Sequence, residues 1–236
     1  MSISHAINAA QSGLKVSGLR ADIVATNVAN ASTPGYVRRS VLLGETLVGG
    51  RTSGVTATGV TRSADAALTA ERRTLSSDVA QASLMSSTWQ VLSSRLGDDA
   101  EGTGLFSKFS KFEAALSASV TSPESGTQLA ALLDSANAVV AELNSLSKLV
   151  SQQRSEADRE IADGVKVVNK ALKQIEELNG LLVGVDGSTS QAAALMDERQ
   201  RTLDTIAEYL PIEVVPREGG AIDIITVEGV YLVAGK

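Results

Sequence analysis

The feature that most constrains this chain is a helix-like run over residues 3–36 that ends in a short turn sequence. Small and apolar residues recur along the run at steps of four and three, which is typical of a helix that lies along a partner helix. These residues are Ile3, Ile7, Ala10, Leu14, Ser17, Ala21, Val24 and Val28. Pro34 disfavours helical backbone at Thr33, and the Pro-Gly pair that it begins suits the centre of a type II turn. We therefore predict one long helix that stops at a tight turn, with Asn27 and Asn30 weakening its last turns.

The turn carries a recognisable motif. Residues 29–38 read A-N-A-S-T-P-G-Y-V-R, which resembles the N-terminal signature A-N-x-x-T-P-G-Y-x-R of the bacterial flagellar axial proteins. Every fixed position of that signature is present. The resemblance implies a structural subunit of the bacterial flagellum that self-assembles through its terminal helices. The alternative is an ordinary helix and turn in a coiled-coil scaffold protein that is unrelated to flagella.

A second stretch is similar to the hook-associated members of that family, which join the hook to the filament. Several long helices precede residues 195–203, L-M-D-E-R-Q-R-T-L, and hairpin strands follow them. The hook-associated members have a comparable L-x-D-x-R-x-x-L helix just before a β domain. The resemblance implies that the partners are other copies of the chain, the hook protein and the next junction protein. It also implies export from the cell without a cleaved signal peptide, and a longer polypeptide whose C-terminal helix pairs with the N-terminal one.

The N-terminal run also carries a second apolar stripe, formed by Ala9, Val16, Leu19 and Ile23. A helix that packs on one partner is polar on its opposite side, so two stripes indicate two neighbours. Under the resemblance, these are the C-terminal helix of the same polypeptide and an adjacent subunit. We therefore expect residues 1–35 to be frayed in an isolated chain, and Tyr36 to be an interface anchor outside the core. The predicted assembly interface comprises Ile3, Ile7, Leu14, Val16, Leu19, Ile23, Val24, Val28, Asn30, Thr33, Pro34, Gly35, Tyr36 and Arg38.

The whole sequence predicts a mainly α fold. It indicates a long antiparallel helical bundle or coiled coil, with a Gly-rich extended connector after the N-terminal helix and a small C-terminal β-hairpin that begins a β domain. The predicted segments are an assembly helix and turn over residues 1–39, an extended connector with one or two short strands over 40–62, a helical rod over 63–210 and the start of a truncated β domain over 211–236.

Within the rod, one helix is predicted to run from caps at Ser63 or Asp65 to a stop at Gly97. Its seven-residue spacing places Trp89 in a core seam. All three Phe residues of the chain then fall within seven positions, and we expect them to form a packing plug for the surrounding helices.

The longest helix is predicted over residues 124–182, where apolar residues alternate at steps of three and four. A shorter helix follows it after a Gly-rich break. Asp197 and Arg201 lie four positions apart in that helix, which predicts an ion pair on its exposed flank.

Composition argues against several classes of function. Aromatic residues make up only 3% of the chain, although hydrophobic residues make up 43%, which favours long, thinly packed helices over an enzyme with a lined pocket. The chain has no Cys, so thiolate zinc sites lack their ligands. His5 is the only His, so a catalytic triad or a His-based metal site has at most one candidate imidazole. We expect no catalytic residue, no cofactor, no metal and no small-molecule substrate.

Charge and hydropathy argue against nucleic acid and membranes as partners. The net charge is −6, but residues 1–39 hold four basic side chains against Asp22 alone. This basic segment is too sparse, and too poor in aromatic residues, for a nucleic-acid groove. No apolar run approaches the roughly 20 residues of a membrane-spanning helix. We therefore expect neither nucleic acid nor a membrane as a partner.

Overall fold

The protein, seen in a computed structural model that describes residues 3–48, 51–97 and 102–234, is mainly α, as predicted. The described residues form five helices, five strands and a short 3-10 turn. In chain order the helices and strands are α1 (Ile3–Ala29), β1 (Arg39–Val48), β2 (Arg51–Arg62), α2 (Ala66–Leu96), α3 (Gly104–Thr121), α4 (Gly126–Val183), α5 (Ser190–Ala207), β3 (Ile212–Pro216), β4 (Ile222–Thr226) and β5 (Tyr231–Val233).

Contacts divide the chain into two units. The first unit joins Met1–Asp78 to Lys166–Lys236, and the second is Val79–Val165. The first unit therefore brings α1, β1 and β2 together with α5 and the C-terminal strands, although these segments are far apart in sequence. The linear segments expected from the sequence remain predictions as domain boundaries.

Local signals set the ends of the helices where the sequence predicts them. Asp65 Oδ1 accepts hydrogen bonds from the N–H groups of Ala67 and Leu68 at 2.9 and 3.1 Å, which caps α2. That helix stops at Gly97, whose φ of 72° lies in the left-handed region that favours glycine. The predicted cap and stop are thus confirmed, and α4 has bounds close to the predicted ones.

Two predictions about aromatic packing in the second unit are wrong. Trp89 is 63% exposed and does not lie in a core. Phe109 and Phe112 make an edge-to-face contact with ring centroids 6.3 Å apart, but Phe106 and Phe109 are about half exposed, so the rings form a surface pair and not a plug. The reason is that helical spacing fixes the side of the helix on which a residue lies, but not whether another element covers that side.

The segment after α1, predicted as an extended connector with one or two short strands, is a β-hairpin of two long strands. β1 and β2 have 10 and 12 residues and pair antiparallel along their length, with two shifts of register. Of the five glycines in this segment, Gly44, Gly54 and Gly59 lie inside the strands, whereas Gly49 and Gly50 lie outside the described residues. A Cβ on Gly54 would overlap Ser12, and one on Gly59 would overlap Ser188. These glycines therefore mark places where the hairpin packs closely against other segments.

The core of the first unit lies between the last turns of α4, helix α5 and the C-terminal sheet. The sheet has the order β3–β4–β5 and is antiparallel, which confirms the predicted strands. Asn179 joins α4 to the sheet, because its side chain donates to the carbonyl of Ile222 at 2.8 Å and accepts from the N–H of Ile222 at 3.2 Å. The buried apolar cluster consists of Ala171, Ile175, Leu203, Ile206, Ile212, Ile222, Ile224 and Val233.

Candidate assembly site

The turn after α1 has the geometry that its sequence predicts. The N–H of Tyr36 donates to the carbonyl of Thr33 at 3.1 Å. Gly35 has a φ of 74°, as a type II turn requires at its third position. A Cβ at Gly35 would also overlap the side chain of Arg201. This glycine is therefore needed both for the backbone conformation and for the close approach of the turn to α5.

Asn27 joins the end of α1 to the start of β1. Its Oδ1 accepts from the hydroxyl of Tyr36 at 2.8 Å and from the N–H of Arg39 at 2.9 Å, while its Nδ2 donates to the carbonyl of Arg39 at 2.9 Å. The guanidinium of Arg39 lies over the Tyr36 ring, 5.1 Å from the centroid, in a cation–π contact. The sequence marked Asn27 only as a residue that weakens the helix and Tyr36 only as an external anchor. Both have partners inside the chain.

One stripe of α1 is covered by the chain's own hairpin. Ser12 Oγ accepts from the N–H of Val55 at 3.1 Å, which places this side of α1 on β2. Val16 and Ile23 lie on the same side by helical periodicity and are 7% and 8% exposed, and Leu19 is half-buried. The two stripes led us to expect two neighbours, the C-terminal helix and an adjacent subunit, but the neighbour of this stripe is the chain's own hairpin. The sequence did not indicate this neighbour because the segment that forms it was predicted to be a connector.

The other stripe of α1 is open to solvent. Isolated exposed apolar residues are common, but several on one side of a single helix make a continuous apolar surface. We call this surface the open face. Its large residues, with their exposed fractions, are Ile3 (80%), Ile7 (52%), Leu14 (73%), Val24 (58%) and Val28 (72%).

Two arginines at the ends of the hairpin bind one aspartate of α5. Arg39 begins β1 and donates from Nη2 to Asp197 Oδ2 at 2.7 Å. Arg62 ends β2 and donates from Nε and Nη2 to Asp197 Oδ1 at 2.9 and 2.7 Å. The Asp197 side chain is 3% exposed, and those of Arg39 and Arg62 are 11% and 16% exposed. Because these charges are shielded from water, removing one of them would leave the others uncompensated. We call the three residues the hairpin clamp.

The predicted ion pair between Asp197 and Arg201 is wrong. Arg201 pairs instead with Glu198, one residue after Asp197, and both side chains of that pair are partly exposed. Asp197 faces the hairpin because two cations there satisfy a carboxylate that would otherwise be buried alone. The available sequence signal was an aspartate among the apolar positions of an amphipathic helix, since a buried carboxylate needs a cationic partner.

The hairpin is also fixed to the loop before α5. The N–H of Val60 donates to the carbonyl of Ser188 at 2.6 Å. Asp186 shapes that loop, because its Oδ1 accepts from both the N–H and the hydroxyl of Ser188 at 2.8 Å. The backbone hydrogen bond, and after it the hydroxyl, lower the pKa of Asp186 below its ordinary value. The hairpin thus contacts both α5 and the loop that leads into it.

The other residues predicted for the interface surround the turn. Asn30 accepts from the hydroxyl of Thr33 at 3.3 Å and donates to the carbonyl of Thr26 at 3.0 Å. Pro34 and Arg38 are exposed. The predicted residues therefore fall into the covered stripe, the open face and the turn. As an interface between molecules, the open face and the turn remain a prediction.

Within residues 3–48, 51–97 and 102–234, no three His, Cys, Asp or Glu side chains are grouped as a metal ion would need. None of the helices there has the length and apolar character needed to cross a membrane. His5 is exposed near the start of α1.

Two family comparisons agree with the fold and the turn. The flagella basal body rod protein family matches residues 7–36, which cover most of α1 and the turn, so this stretch is similar to structural proteins of the flagellum. The family described as the flagellar hook-associated protein FlgK helical domain matches residues 90–236, more than half of the chain. The chain therefore belongs to the flagellar hook-associated protein FlgK family, as its motifs predict.

Individual relatives support this placement. Over 99% of its length, the chain is 25% identical to flagellar hook-associated protein 1 of Salmonella typhimurium and 24% identical to that of Escherichia coli K12. It spans 43% and 44% of the length of these relatives. The fold is similar to that of the flagellar hook junction protein FlgK from Burkholderia pseudomallei, with a TM-score of 0.60 and 18% identity over 72% of this chain and 29% of that chain.

Proposed function

We propose that this chain is part of a structural subunit of the bacterial flagellum that joins the hook to the filament, and that it assembles through the open face of α1. The observation that carries the proposal is the difference between the two sides of this helix. One side is covered by the hairpin, whereas the other carries five large apolar residues that are at least half exposed. A helix in this state has room for one further helical neighbour.

The neighbour that we propose is a terminal helix, either from the same polypeptide or from another copy of it. The wider partners are the hook protein, which the names of the relatives support, and the next junction protein, which the resemblance of residues 195–203 supports. The proposal includes export to the flagellum without a cleaved signal peptide. It gives the chain a mechanical role and no catalytic step.

The test is Leu14→Asp in a bacterium that makes this protein. Leu14 is 73% exposed on the open face, so the isolated chain tolerates a carboxylate there, but a helix that covers the face would bury an unpaired charge. We expect cells that keep their hooks, lose motility and release filament protein into the medium.

The matched control is Val140→Asp. Val140 is 56% exposed on α4 and lies outside the open face, so the same chemical change there should leave motility intact. Normal motility with Leu14→Asp would overturn the role of the open face. A scaffold protein unrelated to flagella, the alternative function, predicts that deleting the gene leaves motility unchanged.

A further inference from the structure

A cavity of about 520 Å³ lies between the start of α2, helix α5 and strands β3 and β4 of the first unit. Its cationic lining is Arg62, Arg73 and Arg199, and we call it the arginine cavity. Much of the remaining wall is apolar, with side chains such as Leu203 and Ile212. None of the residues predicted for the assembly interface lines this cavity, so the proposed assembly does not account for it.

Two of the three arginines have carboxylate partners. Arg62 belongs to the hairpin clamp and binds Asp197. Arg73 is buried on α2 and donates from Nε to Asp204 at 3.1 Å. Each of these arginines therefore has an aspartate of α5 as its partner, although Asp197 is shared with Arg39 and Asp204 with Arg72.

Arg199 is different, because it donates only to neutral acceptors. Its Nη1 lies 2.7 Å from the carbonyl oxygen of Gly220 and 3.0 Å from Asn179 Oδ1, and it forms no ion pair within the part of the chain that the structure describes. Burial, and after it the charge of Arg62, lower the pKa of Arg199 to about 10. A half-buried cation beside another cation is stabilised by an added anion.

The glutamates at the cavity do not supply that anion. Glu71 and Glu213 line it but are exposed, and neither forms an ion pair with a described residue. Their side chains remain hydrated while Arg199 keeps its unbalanced charge.

We propose that the arginine cavity binds an acidic side chain carried by an apolar peptide segment, with Arg199 as its main cationic contact. A guanidinium group binds a carboxylate through charge-assisted hydrogen bonds that are stronger than neutral ones. The cavity is much larger than one free oxyanion needs, and its apolar walls are typical of a site that buries a larger group. A free anion would leave those walls in contact with water, whereas a glutamate flanked by apolar residues covers both parts of the cavity.

The probe is the peptide acetyl-Ala-Leu-Glu-Leu-Ala-amide, titrated into the full chain by isothermal calorimetry. A matched peptide has glutamine in place of glutamate, and glutarate serves as the free dicarboxylate. We expect saturable binding of the glutamate peptide, tighter than that of either comparison by about tenfold or more. Absence of saturable binding, or equal binding of the glutamine peptide, overturns the proposal. If glutarate binds as tightly as the glutamate peptide, the proposal that the occupant is a peptide segment is overturned, and the cavity is a site for free anions.

Variants locate the binding. Ala70→Trp fills the cavity from α2 without removing a charge, and its control is Ala67→Trp, since Ala67 is exposed on α2 but does not line the cavity. Arg199→Gln removes the cation, and its circular dichroism spectrum checks that the fold survives the loss of the contact with Gly220. Ala70→Trp and Arg199→Gln should each weaken binding by about tenfold or more, and Ala67→Trp should not change it. Undiminished binding by folded Ala70→Trp overturns the location.

Discussion

Replacing Asp197 by alanine tests the hairpin clamp, because it leaves two arginines without the carboxylate that they share. Three charge-assisted hydrogen bonds of 2.7 to 2.9 Å are lost. The side chains of Arg39 and Arg62 are only 11% and 16% exposed, so water replaces the carboxylate poorly. Removing one partner of a buried ion pair costs about 3–5 kcal/mol, since the remaining charge is uncompensated. We expect a cost in this range for Asp197→Ala.

The cost should appear in the opening of the hairpin. Hydrogen exchange measured by mass spectrometry reports the free energy of local opening, segment by segment. A reduction of about 3 kcal/mol or more speeds exchange of the β1 and β2 amides by about 100-fold or more. The amides of α3 belong to the second unit and serve as an internal reference, with no change expected.

Glu198→Ala is the matched control, because it removes the neighbouring carboxylate and its ion pair with Arg201. The two side chains of that pair are 41% and 40% exposed, and such a pair contributes about 0–1 kcal/mol. Exchange of the hairpin should then rise by no more than about fivefold. If Asp197→Ala has no larger effect than this control, the clamp does not hold the hairpin and the reasoning is refuted. An equal rise in α3 would show a global effect instead.

Three further predictions concern segments next to the clamp. Tyr36→Phe removes the hydrogen bond to Asn27 and should lower the free energy of unfolding in urea by about 1 kcal/mol; an unchanged value would leave the hydroxyl a role only in assembly. The folded-state pKa of Asp186 lies below its ordinary value of 3.8, so its contribution to stability is present above that pH and is lost as pH falls through the folded-state pKa. Asp186→Asn should therefore lose less stability on acidification than the unmodified chain, and an identical acid dependence would contradict this. In the isolated chain, amides of α1 between Ser12 and Asn27, where the hairpin is attached, should exchange more slowly than those of its first two turns; equally fast exchange throughout would support the expectation from the sequence that residues 1–35 are frayed.

The features that could be predicted from the sequence are set within a few residues. The turn at Gly35, the cap at Asp65 and the helix stop at Gly97 depend on the backbone chemistry of each residue and its immediate neighbours. The C-terminal strands also show their alternation within short segments. Each of these local preferences agrees with the tertiary structure, so they could be predicted without knowing which distant parts of the chain are in contact.

The features that the sequence did not predict join residues that are far apart. Asp197 and Arg39 are separated by 158 positions, whereas the helical spacing rule offers Arg201 as a partner only four positions away. Burial decides between them, because a carboxylate enclosed by the hairpin requires cations from that hairpin. Trp89 shows that spacing alone does not predict burial. Its spacing places it on the apolar side of α2, but no element covers it among the described residues of its unit.

The two sides of α1 are connected through the clamp. A helix of 27 residues that contains Gly13 and Gly18 has weak propensity, so its order depends on packing against the hairpin. A helix that is ordered before assembly loses less conformational entropy when a second helix covers its open face. The charges of the clamp should therefore favour the proposed assembly although none of them lies on the open face. Asp197→Ala should weaken assembly by loosening the hairpin, whereas Leu14→Asp should weaken it with hairpin exchange unchanged.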